Sequence, residues 1–322
     1  MTFSQVIGHE RQKDLLRRAV RSGRLAHAYL FEGPAGIGKR LIALGLTRLL
    51  FCAGGTGCGD CISCRKIDHH NHPDLHLLEA DGASIKIEQV RTLQRELSMR
   101  PLEAAKKVCL IDGAERLNPA AGNALLKTLE EPTGDALFIL LSANPEGVLS
   151  TIASRCQRLP FPRLPRETIR TVLTQRLGLD ATQGHILAAL SEGTLGRALG
   201  RDRTLYLEER PLLLKSLTAL SPQSVLPLFQ FAQELAEQKE RLGDILELFQ
   251  TFYRDLLLYL HGRPETDLVN IDLMEKIRRI GARENVPGLI RKLDALAAGR
   301  FQLERNVNRQ LAMEVLLMRL AA

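Results

Sequence analysis

The sequence predicts an α/β protein, with a five-stranded parallel sheet in the first half and helices alone after it. Three observations carry this. Up to about residue 162, short apolar runs alternate with helical patterns, the order that yields a parallel sheet covered on both faces. A glycine-rich loop joins the first apolar run to a helix. Beyond the proline-punctuated stretch 160–165 no strand pattern recurs.

Taken in order, a helix is expected over 10–22, then the apolar run 28–31 (Ala-Tyr-Leu-Phe), which ends in Glu-Gly-Pro and reads as a strand. A helix over 40–51 follows. Further strands are expected at 75–79, 107–112, 136–142 and 157–161, each a short apolar run bounded by turn residues. Between them lie helices at 87–99, 119–130 and 146–153. After the Pro160-Phe161-Pro162-Arg163-Leu164-Pro165 linker, helices over 166–177, 181–191 and 196–207 form a small unit. Longer amphipathic helices start near residue 210, including 224–239, 242–260, 272–282, 286–298 and 306–319. This gives boundaries at 1–162, 163–207 and 208–322.

At 322 residues the chain is expected to divide into two or three domains. No apolar run approaches the ~18 residues that span a bilayer, and the start Met1-Thr2-Phe3-Ser4-Gln5 is no signal peptide. A cytoplasmic protein without membrane partners is expected. The net charge of +7 fits contact with nucleic acid or acidic partners without establishing it. With no Trp, base-stacking platforms are not expected.

The loop Gly33-Pro34-Ala35-Gly36-Ile37-Gly38-Lys39-Arg40 has the spacing of a phosphate-binding loop, whose backbone N–H groups cradle phosphates while the lysine reaches the outer ones. Its last position, where a Ser or Thr hydroxyl would hold Mg²⁺, is Arg40. The apolar strand Val108-Cys109-Leu110-Ile111 ends in Asp112, the acid that orients Mg²⁺ in nucleotide hydrolases. Gly113 stands where the water-polarising Glu would follow. Glu115 reads as a helix N-terminal charge. Two departures thus fall on the residues that hydrolysis needs most. Phosphate binding through Lys39 and the backbone of Gly36 to Lys39 stays open, as does binding of ATP or ADP. Magnesium-dependent turnover is expected to be absent or very weak.

Cys52, Cys58, Cys61 and Cys64 are spaced C-x5-C-x2-C-x2-C. Four thiolates so close together can close a tetrahedral zinc site, with Zn–S near ~2.3 Å and no open position, hence a structural metal. Gly54, Gly55, Gly57 and Gly59 relieve the turns. Free cysteines and an iron–sulfur cluster are the rivals, the latter weakened because the run does not end in Cys-Pro. His69, His70, His72 and His76 read as bystanders. Ser154-Arg155-Cys156 presents an arginine at a helix end just before a strand. Such a residue is either a solvated arginine or a finger that reaches the γ-phosphate of a neighbouring subunit, worth about 10³–10⁵ in rate where studied.

The phosphate loop, the cysteine cluster, Ala124-Leu125-Leu126-Lys127-Thr128-Leu129-Glu130-Glu131-Pro132 and Ser154-Arg155-Cys156 together resemble the bacterial clamp-loader branch of the AAA+ family. Phe3-Ser4-Gln5-Val6-Ile7-Gly8-His9-Glu10, Leu25–Phe31 and the ending Asn306 to Leu317 fit it as well, so the resemblance runs nearly the whole chain. It implies an AAA+ core (1–162) with an inserted zinc module (52–64), a helical lid (163–207) and a helical collar (208–322) that joins five subunits. The implied partners are ATP-hydrolysing motor subunits (gamma/tau) and a delta subunit in a hetero-pentamer, which acts on the sliding clamp and primer–template DNA. In the motor subunits the matching residues would be Ser/Thr at Arg40, Glu at Gly113 and Arg at Gly196. This chain departs at all three. Arg197 is one residue off, which on a helix turns a side chain by about 100°. Asn144 matches the family's polar sensing position. Lys127 and Thr128 face DNA if they line the ring. The resemblance therefore implies a non-hydrolysing subunit whose Arg155 serves a neighbour. The alternatives are a motor subunit of the same ring, against which the absence of a C-terminal extension is a mild argument, and a stand-alone zinc-containing DNA-binding protein.

Overall fold

The computed structural model describes residues 3–131, 135–221, 223, 225–305 and 307–321. Pro132, Ser224 and Asn306, which belong to expected elements, lie outside the described residues, as do Met1, Thr2 and Ala322. The chain forms two compact units, one of Met1–Thr168 with Gly193–Arg197, the other of Ile169–Glu192 with Ala198–Ala322.

In the first unit, strands β1 (Ala28–Glu32), β2 (Leu75–Glu79), β3 (Lys107–Asp112), β4 (Ala136–Ser142) and β5 (Gln157–Pro160) form one sheet in the order β2-β3-β4-β1-β5. Every pairing is parallel. All residues of β1 and β4 are buried, as expected of strands covered on both faces, and this is why they read as unbroken apolar runs. Helix α1 (Glu10–Arg21) precedes β1, and helices α2 (Lys39–Phe51), α3 (Ile62–Asp68), α4 (Ile87–Ser98), α5 (Pro119–Glu130) and α6 (Ser150–Ala153) fill the crossovers. One face of the sheet, with Ala28, Leu30, Ile111, Phe138 and Leu140, packs on α4, α5 and α6 through Val90, Leu93, Leu125 and Ile152. The opposite side of β1, Tyr29 and Phe31, is equally buried, and Phe31 meets Phe161 with ring centroids 5.0 Å apart.

One helix expected in this unit is broken. Residues 146–153 split into a 3₁₀ turn, Pro145–Gly147, and α6, because Val148 turns extended to bury its side chain in the core. The turn α3 inside the cysteine segment was not expected.

The second unit is helical among its described residues: α7 (Arg166–Leu177, which begins in the first unit), α8 (Ala181–Leu190), α9 (Leu195–Gly200, whose first turn belongs to the first unit), α10 (Arg210–Ala219), α11 (Val225–Glu237), α12 (Leu242–Leu260), α13 (Met274–Gly281), α14 (Val286–Glu304) and α15 (Arg309–Ala321). The helix expected over 196–207 stops at Gly200, since Asp202 accepts from the N–H of Leu205 (3.2 Å) and starts a π-helical turn, Thr204–Glu209, that runs into α10. Helix α14 runs past the expected end at 298 to Glu304, and Gly299 within it faces α15, where a Cβ would sit 3.2 Å from Leu316. Buried Asp255 accepts from the backbone of Val269 and Asn270 and from Asn270 Nδ2 (2.7–2.9 Å), while Arg210 joins Asn270 to Asp272. No helix among the described residues is long and apolar enough to cross a membrane.

Candidate functional site: a self-occupied phosphate loop and a four-cysteine cluster

The loop that leaves β1 keeps its curved backbone, with left-handed conformations at Gly36 (φ +75°) and Gly38 (φ +108°), and ends where Lys39 opens α2. The side chains that would meet phosphate and metal are directed elsewhere. Lys39 is buried and folds back on its own loop, donating from Nζ to the carbonyls of Gly33 (2.5 Å) and Pro34 (2.9 Å). Burial pulls its ammonium pKa below the ordinary lysine value, and the carboxylates of Asp112 and Glu115 oppose that shift.

Arg40 lies between two acids. Its Nη1 donates to Asp112 Oδ2 at 3.3 Å and pairs with Glu79 Oε1. The sheet register explains the pairing: β2 and β3 run parallel with Glu79 beside Asp112, so both strands end in a carboxylate at the same level. A single guanidinium thus pairs with both carboxylates. Glu79 was not singled out from sequence: the acid that closes each apolar run is a local signal, but their adjacency comes from the sheet register.

Gly113 is more than a missing carboxylate. Its φ of +81° is a conformation that L side chains rarely adopt, so a glutamate there would be strained. Glu115 lies in a 3₁₀ turn, Ala114–Arg116, not at the start of an α-helix, and accepts from the N–H of Ala143 (3.1 Å) at the end of β4. Asn144 is exposed, and its carbonyl accepts from Gly147 N–H in the turn that follows. Gly196 lies directly on the phosphate loop. Its N–H donates to Gly36 O (2.9 Å), and a Cβ at 196 would stand 2.8 Å from both Gly36 Cα and Gly36 O. With the loop in this shape no side chain fits at 196, least of all an arginine.

The N-terminal residues hold the loop from behind. His9, itself left-handed at φ +59°, places Nε2 3.1 Å from Ile37 O and packs edge-on against Phe161. Burial lowers its pKa from the ordinary 6.5. Gln12 donates to Pro160 O (2.6 Å) and Lys13 to Val6 O (2.8 Å). Of the two residues that would face DNA only if they lined the ring, Lys127 is exposed, but Thr128 is buried and accepts from Gln94 Nε2 (2.8 Å), so its hydroxyl is a core group.

Arg155 follows α6 at the C-terminal side of α5. Its Nη1 donates to Thr151 O (2.9 Å) and to Ser154 Oγ (3.5 Å), and its Nη2 pairs with Glu130 Oε1. The guanidinium remains partly open to solvent.

The four sulfurs Cys52, Cys58, Cys61 and Cys64 lie within 4.8 Å of one another and could hold a metal ion such as zinc. The fit can be tested: a tetrahedral site with Zn–S of about 2.3 Å requires sulfurs about 3.8 Å apart. The Cys52 sulfur lies 3.7 Å from that of Cys58 and 4.0 Å from that of Cys61. The N–H groups of Cys61 and Cys64 point at the sulfurs of Cys58 and Cys61 (3.4 and 3.5 Å) at the start of α3, an arrangement that favours thiolates. Backbone donation, from Cys58 first, pulls the Cys52 thiol down to about 5, whereas burial pushes Cys64 up to about 12. The histidines stay outside: His72 is buried against Phe51, and His76 Nδ1 pairs with Glu96 (2.9 Å).

A parallel sheet of this order, with a phosphate loop after β1 and an acid at the end of β3, defines the P-loop AAA+ class. Within it, residues 8–165 match the model described as "DNA polymerase III, delta subunit" and residues 205–322 match that described as "DNA polymerase III, delta subunit, C terminal". The chain is 33% identical to DNA polymerase III subunit delta' of Bacillus subtilis, over 95% of this chain and 94% of the relative. It is 32% identical to that of Pseudomonas aeruginosa, over 92% of each. A crystal structure of a DNA polymerase III gamma subunit-related protein from Thermotoga maritima has the same fold, with a TM-score of 0.50 at 18% identity, over 96% of this chain and 98% of that one. The chain therefore belongs to the delta-prime family of DNA polymerase III clamp-loader subunits.

Proposed function

We propose that the chain is a non-hydrolysing stator of the clamp loader, which assists ATP-driven loading of the sliding clamp onto primed DNA in the cytoplasm. In this reading Arg155 reaches the γ-phosphate held by a neighbouring motor subunit, and the collar, 208–322, builds a hetero-pentamer with gamma/tau and delta subunits. The core 1–162 and lid 163–207 complete the three domains. The cysteine cluster holds one structural zinc.

One observation carries the reading: the chain's own phosphate loop is satisfied internally while the Ser154-Arg155-Cys156 motif stays intact and partly exposed. Lys39 is bound to Gly33 and Pro34, Arg40 to Asp112 and Glu79, and Gly196 closes on Gly36. Phosphate would have to displace Lys39 from two carbonyls, and Mg²⁺ would have to displace a guanidinium. Hydrolysis also lacks its water-polarising carboxylate at Gly113.

The test is ATP turnover by the purified chain and by an assembly reconstituted with motor and delta subunits. Negligible turnover by the chain alone, with a five-subunit assembly that hydrolyses ATP, is expected. Robust Mg²⁺-dependent turnover by the isolated chain, abolished by Lys39→Ala, would instead favour the motor reading.

A further inference from the structure

We propose that Glu130 is a resting-state latch for Arg155, holding the arginine until the neighbour's nucleotide competes for it. The inference rests on the assignment of Arg155 as a residue that acts in trans.

The geometry supplies the latch. Arg155 Nη2 is paired with Glu130 Oε1, while Nη1 is held by Thr151 O (2.9 Å) and Ser154 Oγ (3.5 Å). The two Nη1 contacts come from α6 and the residue after it, so they aim the guanidinium whatever α5 does. The Glu130 contact is of another kind, a carboxylate that occupies the same donor face a phosphate oxygen would use.

The position of Glu130 calls for an explanation that helix stability does not provide. It is the last residue of α5, and Glu131 is the C-cap. Acids at a helix C-terminus face the negative end of the dipole and disfavour the helix. The carboxylate is about half exposed, so it is not a packing residue either. Its one polar partner among the described residues is Arg155.

Exchange follows from charge. A γ-phosphate brought to Arg155 competes with the carboxylate for one guanidinium, and the two anions repel until Glu130 swings away. A pair this exposed resists release weakly, by a factor of about two to five in affinity. That suits a latch that assembly can open. A buried pair would hold the arginine permanently.

The experiment uses the reconstituted clamp loader, with the phosphate-loop lysine removed from motor subunits not adjacent to this chain. ATP hydrolysis is measured against ATP concentration, without clamp or DNA, for wild type, Glu130→Gln, Glu130→Asp, Arg155→Ala and Glu130→Gln/Arg155→Ala. The latch predicts that Glu130→Gln lowers KM about two- to fivefold with kcat retained, and reduces the salt dependence of KM. Glu130→Asp should behave as wild type, and the double variant should behave as Arg155→Ala. A fall in kcat for Glu130→Gln would show that Glu130 positions the arginine for chemistry, and an unchanged or raised KM would show no latch; either overturns the proposal. So does a lowered KM that persists in the Arg155→Ala background. If Arg155→Ala itself leaves kcat and KM unchanged, the trans-acting assignment fails, whatever Glu130 does. Equal thermal midpoints of the isolated wild-type and Glu130→Gln chains guard against misfolding as the cause.

Discussion

Adding one methyl group at Gly196 tests whether the phosphate loop is closed as the structure shows. A Cβ there would lie 2.8 Å from Gly36 Cα and Gly36 O and 3.2 Å from Gly36 C. Comfortable carbon contacts begin near ~3.5 Å, so about 0.7 Å must be found. Neither side yields easily, because Gly196 N–H is bonded to Gly36 O and the atoms met are backbone. Overpacking of this kind costs about 1–3 kcal/mol. The helix preference of alanine over glycine returns up to ~1 kcal/mol, which leaves a net loss of about 0–2 kcal/mol. Gly200, in the same helix, is the internal control, since a Cβ there meets nothing within 4 Å and its φ is not positive. Gly200→Ala should gain up to ~1 kcal/mol from the same preference. In calorimetry 1 kcal/mol corresponds to a midpoint shift of about 2–4 °C for units of this size, so the variants should move in opposite directions. A Gly196→Ala midpoint at or above that of Gly200→Ala would refute the contact.

Three further outcomes follow from the site. Arg40→Ser should cost at most ~1 kcal/mol in stability, since the side chains of Arg40, Glu79 and Asp112 are all more than a third exposed. It leaves two adjacent acids, so millimolar Mg²⁺ should raise the variant's thermal midpoint and leave the wild type's in place; equal responses would contradict the stand-in role of Arg40. Elemental analysis should find one zinc per chain, lost in Cys64→Ser, with faster hydrogen exchange confined to 52–68. Zinc retained in full by that variant would remove the four-thiolate site. His9 and His72 are both held below the ordinary 6.5 by burial, so the unfolded chain takes up their protons first. Their contribution to stability is fully present above pH 6.5 and declines as pH falls below it, by up to about 1.4 kcal/mol per pH unit for each. His9→Asn, which keeps a residue suited to φ +59°, should flatten that slope in urea titrations at pH 5 to 7, and an unaltered slope would exclude His9.

The strands were legible because of where they lie. β2, β3 and β4 begin and end at the expected residues: β3 and β4 are buried, near-continuous apolar runs closed by Asp112 and Ser142, and the half-buried edge strand β2 is closed by Glu79. Helix ends were harder. Gly299 looks like a stop but is a packing contact with Leu316, and Asp202 looks like a helix residue but caps a new turn. In the site, loop spacing and cysteine spacing are local patterns, and the structure brings both sets together. The partners of Arg40 and Arg155 are not local: Glu79 follows from the β2–β3 register, and Glu130 is joined to Arg155 only by the packing of α5 against α6. The closure of Gly196 on Gly36 spans 160 positions and leaves no trace in composition.

Reconstituted clamp loader carrying either Arg155→Ala or Lys39→Ala in this chain tests the central claim most directly, with ATP hydrolysis and assembly measured on the same samples. The account predicts that both variants assemble, that Arg155→Ala lowers the ATPase of the complex and that Lys39→Ala leaves it unchanged. Full activity with Arg155→Ala together with a loss in Lys39→Ala would contradict it, placing the chemistry in this chain's own loop.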